Sequence, residues 1–332
     1  MEFEPLRDAA HPARPRWAPV ELDREEALET ARHLIMLVGY NDLTSKEEVL
    51  GSGFPVATQP ELLALTATHV LTEWIDKVRP PRPHAFRGLH GDDEDLARRV
   101  SGVLDAGLLL AAIRCRSQGG YRLCAVKDVA LPFDPSNIDV ACLRLELPQW
   151  AVREDFDAVN INAEMSGTNP MLMVGWSGGE WGLPELEGHP FPLRQHMVVR
   201  AAFNLGPVAE ARGYENWMFL VDGPSEPGMS GGPLLMMDTR SAPGKIRLAA
   251  RGVISRDCIA PPAGGNDEAN PNQTWVSPIE ATFTLRCPAP LQHLLFFDAV
   301  RTGVVGSYGQ RARQGTVTQG PDEYSLHWTP RP

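Results

Sequence analysis

The chain has no apolar run near the ~18 residues that a membrane-spanning helix needs, and its opening, from Met1 to Val20, is charged and proline-rich with none of the apolar stretch of a secretory leader. Positive charge is scarce. Against 42 Asp and Glu there are 31 Lys and Arg, a net charge of −11, and no basic cluster is interleaved with aromatics. A role that tracks nucleic-acid phosphates is therefore excluded. Cysteine is scarce too: Cys115, Cys124, Cys142, Cys258 and Cys287 are odd in number and lack motif spacing, which argues against a disulfide framework. Cys115 and Cys124 flank a Ser-Gln-Gly-Gly turn, where they could face each other across a hairpin, but in a cytoplasm such a pair stays reduced. With no leader and no span, the expected location is cytoplasmic. Aromatics make up only 7% of the residues, whereas 30 Gly and 30 Pro punctuate many short apolar runs. That composition suits a turn-rich β protein rather than a helical bundle, and 332 residues are enough for one or two full cores.

What is present centres on Gly228-Met229-Ser230-Gly231-Gly232-Pro233. A serine hydroxyl is a poor nucleophile until a base takes its proton and N–H groups hold the developing oxyanion. Glycines around it let the chain turn tightly enough for those N–H groups to converge. Alone, the run is a weak signal, since Gly/Ser turns are common. Two upstream segments strengthen it. Leu65-Thr66-Ala67-Thr68-His69-Val70 follows Gly51-Ser52-Gly53-Phe54-Pro55-Val56 across a polar turn. Both segments read as short strands, placing His69 at the end of a buried strand. In Asn137-Ile138-Asp139-Val140-Ala141-Cys142-Leu143 a single acid leads an apolar strand, and a carboxylate entering a core needs a partner such as an imidazole.

In that order, His69, Asp139 and Ser230, the chain resembles the trypsin/chymotrypsin-like serine peptidases, in particular the bacterial HtrA-like branch, without a PDZ domain. The resemblance spans roughly residues 35 to 285. It implies an all-β fold of two six-stranded antiparallel β-barrels of trypsin-like type with a few added helices, and needs no metal or organic cofactor. It implies that Ser230 is the nucleophile, His69 the general base and then acid, and Asp139 the group that fixes the imidazole. The N–H groups of Gly228 and Ser230 would form the oxyanion hole. Ser255, in Arg251-Gly252-Val253-Ile254-Ser255-Arg256-Asp257, matches a family serine that also bonds the catalytic aspartate, on a strand that pairs with the substrate backbone. The primary pocket would have its base near Pro224 and Ser225 and Asp222, Glu226 and Asp257 in its walls or mouth, and Ser255, Arg256 and Asp257 would also bind substrate. No acid stands at that base, so a small or medium apolar residue is expected at the cleavage site, although Asp222, Glu226 and Asp257 could favour a basic one. Two departures stand out. Met229 occupies the position of the aspartate that latches a cleaved N-terminus in trypsin-type zymogens, and Thr68 replaces a more usual alanine. The first leaves no sign of activation by N-terminal cleavage, so the expected partners are a protein or peptide substrate and a regulatory protein.

The remaining pattern gives an arm and short helix over 1–33, a first barrel over 34–150, a second over 151–287 and an extension over 288–332. Asp23-Arg24-Glu25-Glu26 has capping-box spacing, followed by Ala27, Leu28, Ala31, Leu34 and Ile35 at helical spacing. An insertion over about 72–106 carries a helical stripe of Leu96, Val100, Val103 and Leu104 and reads as lid, partner surface or decoration. Within it His84, His90, Asp92 and Asp93 are too irregularly spaced for a metal site. A hairpin is expected from Leu108 to Leu131, a linker over 145–168, separate strands over 196–204 and 206–212, a helix from Pro288 to Val300 and a turn-rich end. Two rivals remain. Gly228 to Gly232 also fits the Gly-x-Ser-x-Gly elbow of α/β-hydrolases, with Asp257 and His293 or His327 as partners. The other is a barrel protein that binds without catalysing.

Overall fold

In the computed structural model the described residues are 34–56, 61–81, 91–117, 120–132, 138–149, 151–161, 171–178, 195–207, 219–238, 247–257, 273–279, 313–319 and 324–330. The structure is mostly β. The first sheet comprises β1 (Ile35–Asn41), β2 (Lys46–Val56), β3 (Leu62–Thr66), β4 (Leu109–Cys115), β5 (Gly120–Ala130) and β6 (Ala141–Leu145). These close into an antiparallel barrel in the order β1-β2-β3-β6-β5-β4. β3 is buried at every position and β1 at all but one. Such strands have no solvent face and need cover outside the barrel as well as inside.

Helix α1 (Thr68–Val78) supplies part of that cover. Val70, Leu71, Trp74, Ile75 and Val78 recur at helical spacing and are buried. The Trp74 indole packs against β1 at Gly39, where a Cβ would overlap it. Helix α2 (Gly91–Asp105) follows, burying Val100 and Val103. Arg99 ties the two helices together, bonding Asp95 on α2 and Asp76 on α1.

The second sheet comprises β7 (Asn160–Ile161), β8 (Met171–Gly178), β9 (Gln195–Pro207), β10 (Phe219–Asp222), β11 (Pro233–Asp238), β12 (Arg247–Asp257) and β13 (Gln273–Pro278). Its order is β11-β8-β9-β10-β13-β12-β7, and β11 also pairs with β12. That last ladder returns the antiparallel pairings to their start, so six strands curl round a core and β7 adds a short parallel edge. This is the double barrel expected from the sequence. A separate hairpin pairs β14 (Arg313–Gln319) with β15 (Tyr324–Pro330). Among the described residues no helix is long and apolar enough to cross a membrane.

Several expectations need correction. His69 does not end a strand: β3 stops at Thr66 and His69 lies in the first turn of α1. The run of β-branched residues there is overruled by the apolar helical stripe that follows it. The beginning of the stretch read as an insertion is therefore core helix rather than lid. The described part of residues 145–168 is more than a linker, because a turn of 3₁₀ helix (Arg153–Asp155) delivers Phe156 and Val159 into the first core. Isolated bridges pair them with Cys115 and Val56. The strands read over 196–204 and 206–212 are one strand, β9, as far as Pro207. The hairpin β14–β15 occupies the end that was read as merely turn-rich. Cys115 and Cys124 are not cross-strand partners: Cys124 faces Ala111, and Cys115 faces Gly120. Both thiols are free and buried, and burial, with Cys115 and Glu146 nearby, pushes the Cys124 thiol up to about 12. The N-terminal arm and helix (apart from Leu34 and Ile35), His84, His90, Cys258, Cys287, His293 and the helix from Pro288 to Val300 lie outside the described residues.

Candidate active site

The first N–H groups of an α-helix have no partner within the helix, and Ala67, before α1, offers no side-chain cap. The His69 N–H is satisfied instead by Asp139, whose Oδ1 accepts it at 2.9 Å. The same carboxylate meets the His69 ring, Oδ2 to Nδ1, at 2.8 Å. Backbone and side chain of His69 are thus fixed by one group, which puts the ring proton on Nδ1 and the lone pair on Nε2. Thr68 Oγ1 donates to the Ile138 carbonyl at 3.3 Å, tying the helix start to the segment that carries Asp139.

Asp139 sits two residues before β6 with only 11% of its side chain exposed. Its third donor is the Ser255 hydroxyl, on Oδ2. Burial alone would push this carboxyl up. The bonds and charge of His69, with the Ser255 bond, outweigh it and hold the group below its ordinary value of 3.8. Ser255 reaches it because of a bulge. Opposite β13, Ile254 pairs with Val276 and Arg256 with Trp275, leaving Ser255 unpaired between them. A bulge re-aims its residue, and here the Ser255 side chain turns to Asp139 while its carbonyl accepts the Ser230 hydroxyl at 2.6 Å. Asp139 and His69 therefore meet directly, and Ser230 joins them through Ser255.

Ser230 lies on the turn between β10 and β11, and the peptide groups around it are held almost one by one. Gly231 N–H donates to the Ile254 carbonyl at 2.7 Å, and Ile254 N–H to the Gly232 carbonyl at 2.8 Å. Gly232 N–H bonds the Met229 carbonyl at 2.9 Å, and Met229 N–H bonds the Glu226 carbonyl at 3.0 Å. From the first barrel, Ser52 N–H donates to the Ser230 carbonyl at 2.8 Å. Among the described residues the N–H groups of Gly228 and Ser230 have no backbone acceptor. The turn thus fixes its neighbouring peptides and leaves the donors of Gly228 and Ser230 for something else. The Met229 side chain is fully buried with Met171, Met173, Val221, Leu234, Ile254 and Val276. It anchors the turn in the second core over Gly175, whose Cβ would stand 2.7 Å from Met229 Cα.

Gly231 has φ of +87°, and a Cβ there would overlap the Ser52 carbonyl oxygen and Thr66 Oγ1. Gly231→Ala is expected to cost at least about 3 kcal/mol. Gly102→Ala on α2 meets nothing within 4 Å and is expected to stabilise by about 0.5–1 kcal/mol. Urea unfolding of the two variants checks both signs.

The residues expected at the pocket lie on the segment before the turn and at the end of β12. Pro224 and Ser225 are half-buried, between β10 and the turn. Thr274 Oγ1, on β13, donates to the Gly223 carbonyl at 2.6 Å and fastens that segment. Arg256 and Asp257 end β12, opposite Trp275 and Thr274. Sequence reasoning missed the Ser255 carbonyl and the part played by Ser52 and Thr66. The only signal for Ser52 was a polar residue between two glycines on the buried half of its strand. The chain after Ser230 runs directly into strand β11, so the strand–elbow–helix of an α/β-hydrolase is absent here, and that rival fails.

No protein-family model matches the chain, and no curated protein matches it by sequence. Among solved structures, the crystal structure of the protease Anisep from Arthrobacter nicotinovorans is similar at a TM-score of 0.44 and 12% identity, over 76% of this chain and 94% of that one.

Proposed function

We propose that the chain is a serine endopeptidase of the trypsin-like type, working through a His69–Asp139–Ser230 triad. One observation carries this reading: Ser255 bonds the Asp139 carboxylate with its hydroxyl and the Ser230 hydroxyl with its carbonyl. An acid paired to an imidazole and a serine on a glycine turn are thereby gathered at one bulge, from three distant parts of the chain. An ordinary core histidine has no need of that company.

At rest the Ser230 proton points to the Ser255 carbonyl. For reaction it turns to His69 Nε2. As the Ser230 Oγ–carbon bond forms, the proton passes to Nε2 and the carbonyl oxygen becomes an oxyanion held by the N–H groups of Gly228 and Ser230. The imidazolium, stabilised by Asp139, returns the proton to the leaving amine as the C–N bond breaks. Water repeats the sequence on the acyl-enzyme and frees Ser230. Strand β12 beyond the bulge would pair with the substrate backbone as an added strand. Pro224, Ser225, Ser255, Arg256 and Asp257 would border the pocket for the residue at the cleavage site. With Met229 where a zymogen aspartate would stand, restraint would come from a partner protein or from limited specificity. Free degradation of casein by the isolated chain would sink that regulated version.

A fluorophosphonate probe tests the core of the proposal. The wild-type chain is expected to label at Ser230 and the Ser230→Ala variant not at all. A wild-type chain that stays unlabelled would favour the non-catalytic barrel protein. Cleavage of a peptide library would then read the site preference, with apolar residues expected before the scissile bond.

A further inference from the structure

The Ser52 side chain is fully buried on β2, in the first barrel, yet both of its hydrogen-bonding partners belong to the second. Its hydroxyl donates to the Gly228 carbonyl at 2.7 Å and accepts the Trp176 N–H, from β8, at 2.7 Å. Its N–H holds the Ser230 carbonyl at 2.8 Å. Thr66 Oγ1, from β3, in turn donates to the Ser52 carbonyl at 2.8 Å. One serine therefore grips the turn at both Gly228 and Ser230, the residues whose N–H groups have no backbone acceptor among the described residues.

The grip on Gly228 matters most. Gly228 has φ of +97° and no side chain to limit its rotation. Its carbonyl belongs to the peptide whose other end, Met229 N–H, is held by Glu226. With both ends held, that peptide cannot turn, and Gly228 is anchored on its carbonyl side, one bond-pair away from its own N–H. Without the hydroxyl, the carbonyl side is released, and a glycine with little barrier to rotation is held less firmly, its N–H with it. Ser52 N–H cannot substitute, because it is engaged with Ser230.

We propose that Ser52 is a positioning residue for the oxyanion-stabilising turn, acting through the Gly228 carbonyl; this rests on the peptidase reading above. Its removal would leave the triad and the substrate strand in place while blurring one of the two donors that face the developing charge. Full loss of such a donor costs about 10²–10³-fold in rate.

The test uses the full chain with a chromogenic peptide substrate, each rate divided by the concentration of active sites titrated with the fluorophosphonate. Ser52→Ala is expected to lower kcat per titrated site by about 10²-fold with KM held within about threefold. Affinity for a peptidyl boronic acid, which forms an oxyanion-like adduct, is expected to fall in parallel with kcat, while that for the product peptide holds. Ser52→Thr, which returns the hydroxyl, is expected to recover at least about tenfold of the loss. A Ser52→Ala chain whose kcat per titrated site stays within about threefold of wild type, whatever its unfolding midpoint, overturns the proposal and leaves Ser52 a structural bridge. A wild-type chain that never labels overturns the peptidase reading, and this inference with it, so the two failures are distinguishable.

Discussion

Ser230→Ala is expected to reduce peptide hydrolysis by about 10⁶-fold while leaving the chain folded, with an unfolding midpoint close to wild type. The expected size follows from the chemistry. Without a nucleophile, His69 and Asp139 have nothing to activate, and what survives is binding plus the turn's N–H donors. The mild effect on stability follows from the geometry. Among the described residues the Ser230 hydroxyl makes one bond, to the Ser255 carbonyl, while the turn is held by main-chain bonds, Ser52 and the Met229 anchor. Loss of one such bond costs about 1 kcal/mol. Steady-state hydrolysis of a peptide ester and a peptide amide, with thermal unfolding of the same samples, checks both halves. A variant retaining a tenth of wild-type rate would place the chemistry on another residue.

The parts of the site legible in the sequence were those for which chemistry demands a residue type. A buried acid needs a partner, a nucleophilic serine needs a glycine turn, and His69, Asp139 and Ser230 stood out for those reasons. What escaped was geometry that depends on two strands at once. The bulge at Ser255 exists only because β12 has one residue more than β13 across that stretch, a count that no single strand reveals. Ser52 was hidden in the same way, since its partners Gly228 and Trp176 lie 176 and 124 residues away. The helix at His69 was a different kind of miss. Val70, Leu71, Trp74, Ile75 and Val78 carry a clear period of 3.6, but β-branched residues at its start masked it. Burial of Trp74 over Gly39 decides that local contest in favour of helix, since tertiary packing outweighs single-residue propensity. Phe156 and Val159 were isolated apolar residues in a polar stretch, and their burial comes from bridges to strands far away in sequence. The β-rich class was legible in many short apolar runs with turns between them, a pattern that tolerates a few misplaced boundaries, whereas the two-barrel arrangement was implied by the resemblance of the motifs around His69, Asp139 and Ser230.

Asp139→Asn is expected to lower kcat by about 10⁴-fold and to change how stability responds to acid. The amide keeps the shape of the carboxylate but can offer an N–H where Oδ2 now accepts. Facing the His69 ring, it favours the tautomer with the lone pair on Nδ1, leaving Nε2 protonated and useless as a base. It also withdraws the negative charge that stabilises the imidazolium. The stability effect has a definite sign. The folded-state carboxyl of Asp139 lies below its ordinary value of 3.8 because the His69 and Ser255 bonds outweigh burial. Its contribution to stability is therefore complete above about pH 4 and is lost as pH falls through the folded value. In the wild type the unfolding midpoint should fall over that window, and in Asp139→Asn part of the fall should disappear, because an amide does not titrate. Midpoints measured from pH 2 to pH 6 test this directly. Parallel curves for the two chains would mean that the carboxylate gains nothing from its three donors, and the pairing of Asp139 with His69 could then no longer be the energetic centre of the site.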